Sequence, residues 1–194
     1  MKILFPATAV LALAFSLLAC KNKQTKSAEI DPFFPALSII RDQVARVDTS
    51  LYPIRKLVFV DSARTDTIHI RREDFKSVAA DFLSLPDLSE PKYRERYSES
   101  STYDTTLKRV ILILEPRKPE EEVIQRQEVL IKPDASGDRV TSIHIDYLFN
   151  SRDSLVEKRL FWQFDKSFQV AITKRLPGQA QTTTTYKVVW NEEP

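Results

Sequence analysis

Apolar and polar positions follow two different rhythms along this chain, and the rhythm changes near residue 107. In the first part Leu37, Ile40, Val44 and Val47 recur at spacings of 3, 4 and 3, one stripe of an amphipathic helix. The spacing predicts a helix over 31–49, with Asp31 as cap, Pro32 in the first turn, and Phe33, Phe34 and Ile39 widening the stripe. Leu57 to Val60 and Thr65 to Arg71 read as a hairpin around Asp61-Ser62-Ala63-Arg64. Arg72 to Leu85 reads as a second helix, lined on one side by Phe75, Ala79, Phe82 and Leu83 and stopped at Leu85-Pro86-Asp87. Residues 86–106 mix polar and aromatic side chains without a period, and Tyr103 and Leu107 open a strand.

From Leu107 onward the period is two. The run Val110 to Leu114 is apolar at every position, which predicts a strand in the middle of a sheet and covered on both faces. Pro116 and Pro119 force a loop, Glu122 to Ile131 forms the next strand, and Pro133 to Asp138 turns the chain. Ile143, Ile145, Tyr147 and Phe149 share one face, as do Val156, Leu160, Trp162 and Phe164. A buried face fixes register, because a one-residue slip moves every side chain to the opposite face. The register that joins these sets pairs Ile143 with Trp162, Ile145 with Leu160, Tyr147 with Lys158 and Phe149 with Val156, and it sets Asp146 opposite Arg159. The next hairpin is expected to pair Phe164 with Phe168, Trp162 with Val170 and Leu160 with Ile172 around Asp165-Lys166-Ser167. Pro177-Gly178 suits a type II turn, and the last strand runs from Gln181 to Trp190. The expected fold is α+β: a curved antiparallel sheet of about six to eight strands, mostly a C-terminal meander, packed by one or two N-terminal helices.

The N-terminus follows neither rhythm. Lys2 precedes an apolar stretch, Ile3 to Leu18, which is shorter than the roughly 20 residues needed to span a bilayer. Ala19 and the sole cysteine, Cys20, close it. The set Leu17-Leu18-Ala19-Cys20 resembles the lipobox of bacterial lipoproteins. The resemblance implies cleavage before Cys20, a thioether-linked diacylglycerol on its sulfur and an acylated amine. Several acyl chains anchor firmly, where one alone holds marginally. The chain then divides into a signal peptide over 1–19, a lipidated cysteine with a flexible polar tether over 20–30, and one globular domain over 31–194. Lys21 beside the cysteine, with no acidic run following, implies by the same resemblance the periplasmic face of the outer membrane. The globular part resembles envelope lipoproteins of the Bacteroidota in general style, and lipoprotein-localisation factors in architecture only. Neither resemblance rests on a motif.

Charge adds little. Lys and Arg number 29 against 27 Asp and Glu, well mixed, so no basic face points to nucleic acid. The only thiol, Cys20, is taken up by the implied lipid, so the domain has to be stable without an internal disulfide. The two glycines, Gly137 and Gly178, lack the spacing of phosphate-binding loops or nucleophile elbows, so no cofactor is expected. His69 and His144 lie far apart, with no third ligand at metal spacing. His144 and Asp146 share a face opposite Arg159 and read as a surface ladder, with a general acid–base site as the alternative. Glu120-Glu121-Glu122 reads as solvated.

The aromatics Trp162, Phe164, Phe168 and Trp190 gather in the last strands, either as packed core or as the wall of an apolar groove, while Phe161 points to the outer face. These features favour a lipid-anchored, non-enzymatic binding or scaffolding module with an envelope protein as partner. The first alternative is a carrier of a lipid or other apolar ligand in a half-barrel groove. The second is a hydrolase whose carboxylates leave no spacing signature.

Overall fold

A computed structural model describes residues 33–47, 53–61 and 63–191 of this chain. The leader, Cys20 and the tether lie outside the described residues, as do the proposed cap Asp31 and the end of the first helix beyond Val47. The fold is α+β, a single open antiparallel sheet of nine strands with a few short helices.

The strands are β1 Ile54–Phe59, β2 Thr65–Ile70, β3 Tyr97–Asp104, β4 Arg109–Pro116, β5 Ile124–Lys132, β6 Arg139–Ser151, β7 Ser154–Gln163, β8 Ser167–Arg175 and β9 Thr182–Val189. Their order across the sheet is β2-β1-β9-β8-β7-β6-β5-β4-β3. Strands β3 to β9 form a continuous meander, and the β1–β2 hairpin docks along β9. The described residues belong to one compact unit.

One ladder row explains why this sheet has a buried face. Leu112, Val129, Ile143, Trp162, Phe168 and Val188 stand in register straight across six adjacent strands. The next row is Leu114, Gln127, Ile145, Leu160, Val170 and Tyr186. All but the half-buried Leu112 are buried, and together they form the core floor.

The helices cover this floor. Helix α1, Ala36–Val47, buries Leu37, Ile40, Val44 and Val47, the stripe expected from its period, and with them Ala36 and Gln43. The expected second helix over 72–85 is instead a 3-10 turn at Arg72–Asp74 followed by two single turns, α2 Phe75–Val78 and α3 Ala80–Leu83. Ala79 separates them at φ −83, ψ 5, outside the α basin, and is fully buried. The break keeps Phe75, Ala79 and Phe82 all on the core.

The register of β6 against β7 is as expected, including Asp146 opposite Arg159 and the tight turn between Ser151 and Ser154. The next hairpin differs. Trp162 pairs with Phe168 and Leu160 with Val170, two residues away from the expected register, so the turn is Phe164-Asp165-Lys166. Asp165 adopts φ +58, a left-handed conformation that Asp tolerates better than most residues. A slip of two leaves every side chain on its own face, so the core set is unchanged.

Two further expectations are corrected. The stretch 86–106 contributes a full strand, β3, which forms one edge and brings the total to nine. Strand β4 therefore lies next to an edge rather than in the middle, and its outer-face residues Ile111 and Ile113 are half-buried, with no helix over them.

Candidate functional site

The aromatic residues of the last strands lie between the sheet and the helices. Trp162 and Phe168 are fully buried and Trp190 is 3% exposed. The Trp162 and Phe168 rings stack at 5.1 Å and 14°. Phe82 meets both edge-on, at 5.0 and 5.3 Å, and Phe75 meets Trp190 edge-on at 5.3 Å. Offset and edge-on contacts are the favoured arrangements of aromatic rings. These side chains fill the space an apolar ligand would occupy. Phe164, half-buried in the β7–β8 turn, packs at the margin of this cluster.

One polar chain crosses the aromatic core. The Trp162 indole N–H donates to Gln43 Oε1, and Gln43 Nε2 donates to Asp165 Oδ1 at 2.7 Å. Gln43 sits on the buried stripe of α1, so a helix residue satisfies the indole and ties α1 to the β7–β8 turn.

The buried carboxylates are occupied in a similar way. Glu122 is a correction to the solvated acidic run: it is 8% exposed and accepts from Arg96 in a bidentate pair, with the Tyr97 hydroxyl at 3.2 Å. Burial and the Glu122 carboxylate push the Tyr97 phenol upward. Asp87 accepts from Ser38 Oγ at 3.0 Å and from Ser89 N and Oγ, with Arg41 at 3.6 Å. Both carboxylates are taken up by these structural bonds.

His144 and Asp146 lie on the outer face, away from α1 to α3. His144 faces Glu128 on one side and Phe161 on the other, with ring centres 4.3 Å apart in the latter pair. Burial lowers the imidazole's proton affinity, and the charges of Glu128 and Asp146 oppose it. Neither residue lines any of the grooves described below. Among the described residues no group of three or more His, Cys, Asp or Glu side chains is placed to hold a metal ion. No helix among them is long and apolar enough to cross a membrane.

Concavities lie along the helices. The first, about 560 Å³, runs between α1 and the 3-10 turn with α2 and α3. Val44, Ala45 and Leu83 form its apolar floor, and Arg41, Arg72, Lys76 and Glu73 surround it. Glu73 pairs with Arg71 at 3.3 Å. The side chains of Arg72 and Lys76 have no hydrogen-bond or ion-pair partner among the described residues. A shallower groove continues past Lys76, Ser77, Ala80 and Ser84.

On the sheet side of α2 and α3, Lys56, Asp81 and Tyr186 line another groove of about 400 Å³. Asp81 accepts from Lys158 Nζ at 2.6 Å and from the Tyr186 hydroxyl at 2.9 Å, and the Lys56 ammonium lies 4.1 Å from the centre of the Tyr186 ring. Burial and the bond to Asp81 push the Tyr186 phenol upward, so it stays protonated and donates. This cluster pins α3 to β7 and β9.

Sequence reasoning missed both grooves. Reading 72–85 as one helix gave its apolar side, while Lys76 and Asp81 stood among the unassigned polar positions. Signals for the basic groove were present as Arg72 and Lys76, one helical turn apart, but their meeting with Arg41 is a tertiary fact. Comparison of the chain with protein-family models, with curated proteins and with solved structures finds no match.

Proposed function

We propose that this chain is a lipid-anchored binding module of the bacterial envelope: Cys20 carries the lipid, the tether spaces the domain from the membrane, and the domain engages its partner at its surface without transforming a substrate. The observation that carries the binding part is the filled interior. Trp162, Phe168 and Trp190, at 0, 0 and 3% exposed, take up the volume between sheet and helices. Recognition is therefore left to open grooves and faces. Saturation of Glu122 and Asp87 by structural bonds supports the non-enzymatic reading over a hydrolase, which needs converging carboxylates with perturbed proton affinity.

The anchor is tested by expressing the full chain with its own leader and measuring the intact mass of the processed N-terminus. Expected is a chain beginning at Cys20 with added diacylglycerol, and loss of both processing and membrane association in Cys20→Ser. A chain cleaved elsewhere, or unmodified at Cys20, refutes the anchor. Native mass spectrometry of the non-lipidated domain recovered from envelope extract separates the remaining readings. A retained apolar molecule favours the carrier, and a retained envelope protein favours the scaffold.

A further inference from the structure

We propose that the groove between α1 and α2–α3 is a contact site for the phosphate headgroups of an anionic phospholipid surface, the same membrane in which the Cys20 lipid sits; the inference rests on the anchor reading. Three features point to this occupant. The first is charge: Arg41, Arg72 and Lys76 line the groove against a single carboxylate, Glu73, which Arg71 already engages. Arg72 and Lys76 have no side-chain partner among the described residues, and Arg41 is shared with the buried Asp87. Cations that the fold leaves unpaired are available to an external anion.

The second feature is the floor. Val44, Ala45 and Leu83 line the same groove of about 560 Å³ as these cations and offer apolar contact there. That pairing of anion site and apolar base matches a phosphate with the glycerol and first methylenes behind it. A soluble anion would leave the floor unused.

The third is reach. Twelve residues separate Cys20 from Phe33, so Phe33 can sit up to about 45 Å from the anchor when that stretch is extended, and much closer otherwise. Arg41 lies eight residues beyond Phe33, the last five steps along α1, about 7.5 Å of helical rise. The anchor therefore delivers the groove to the membrane at high local concentration, and weak headgroup contacts suffice to orient the domain.

The test uses the chain from residue 20 onward, expressed without the leader and carrying Cys20→Ser, which leaves the groove as the contact under study, and vesicles of phosphatidylglycerol in phosphatidylcholine. Each basic side chain near an anionic surface strengthens partitioning about fivefold, so Arg72→Gln with Lys76→Gln should weaken co-sedimentation about 25-fold. Arg152→Gln with Lys174→Gln removes the same charge at the β6–β7 turn and the end of β8. These positions lie at the opposite end of the strands from the β7–β8 turn that contacts Gln43. This pair should change partitioning by less than about threefold, since interactions beyond a Debye length of about 10 Å are screened.

Equal losses from both pairs, or equal binding to pure phosphatidylcholine, would overturn the proposal. So would release by millimolar inorganic phosphate at matched ionic strength, which would assign the site to a free anion. The mass of the Cys20 modification is read on the unmutated chain, so failure of the anchor and failure of the groove are separate results.

Discussion

Replacing Gln43 by Leu tests whether one buried amide holds the helix layer in place. Gln43 is 2% exposed, accepts the Trp162 indole N–H and donates to Asp165 Oδ1 at 2.7 Å. Leu conserves most of the volume, so the loss is mainly the hydrogen bonds. Trp162 is fully buried, and leaving its N–H unsatisfied costs about 1–3 kcal/mol, whereas Asp165, exposed on its turn, recovers water at little cost. A net loss of about 2 kcal/mol corresponds to a Tm lower by about 4–8 °C for a domain of this size. Trp162→Phe alone leaves Gln43 Oε1 unsatisfied and opens a small void. The double variant removes donor and acceptor together, so it should be more stable than the sum of the two single losses predicts, by about 1–2 kcal/mol. Urea denaturation of the four proteins closes the cycle. A loss below about 0.5 kcal/mol in Gln43→Leu, or strict additivity in the double variant, would refute the role of this bond.

The other predictions concern single interactions. Tyr186→Phe removes the hydroxyl bonded to Asp81 but leaves the Lys158 contact, so denaturant unfolding should report a loss of about 1 kcal/mol. Gln127 buries an Nε2 with no hydrogen-bond partner, in a row with Leu114 and Ile145; Gln127→Met should raise stability by about 1–2 kcal/mol, seen as a higher midpoint in urea, and a decrease would reveal a partner for that amide. Gly178 holds φ +70 with open space where a Cβ would stand, so Gly178→Ala should cost about 1 kcal/mol through backbone strain alone, measured as a fall in Tm. His144 has a lowered proton affinity in the folded chain, set mainly by burial against the pull of Glu128 and Asp146. Its contribution is complete above the unfolded value of about 6.5 and is lost as pH falls from there through the folded value, because the unfolded chain then binds the proton first. Melting curves between pH 7.5 and 5 should show a steeper decline for the unmutated chain than for His144→Gln.

The meander was legible because each of its strands buries one face, which makes period and register mutually constraining. Ile143 to Phe149 and Val156 to Trp162 admit one alignment that keeps both apolar sets together, and the structure has it. The β7–β8 register was less determined. A slip of two preserves both faces, and the choice was made by Asp165 in a left-handed turn and by Trp162 stacking on Phe168. Strand β3 left no periodic signal because an edge strand is polar on both sides: Ser98, Glu99, Ser100, Ser101 and Thr102 are all exposed. The residues 72–85 were legible as helical by spacing, but the break at Ala79 depends on fitting Phe75 and Phe82 to a floor that the sequence does not display. Glu122 was misread for the same reason: its partners Arg96 and Tyr97 are about 25 residues away in sequence.

An open sheet has two edges and a bare face, and each is a liability unless its chemistry is closed off. At one edge β3 presents Glu99 and Asp104 among serines and threonines, and at the other β2 presents Asp66, which Arg64 engages at 3.2 Å. Charged and short polar side chains at these edges oppose strand addition by a second chain. On the bare face Arg126 bridges Glu115 and Glu128 beside Ile113, which pairs with Glu128, so part of that face is closed by an ion-pair network. The helix side differs. Arg72 and Lys76 line a partly apolar groove and have no acidic partner among the described residues, although acidic residues are abundant along the chain. A groove that gathers Arg41, Arg72 and Lys76 against one carboxylate, Glu73, presents itself to an anion from outside. A lipid anchor on Cys20 would place a two-dimensional array of such anions within the tether's reach.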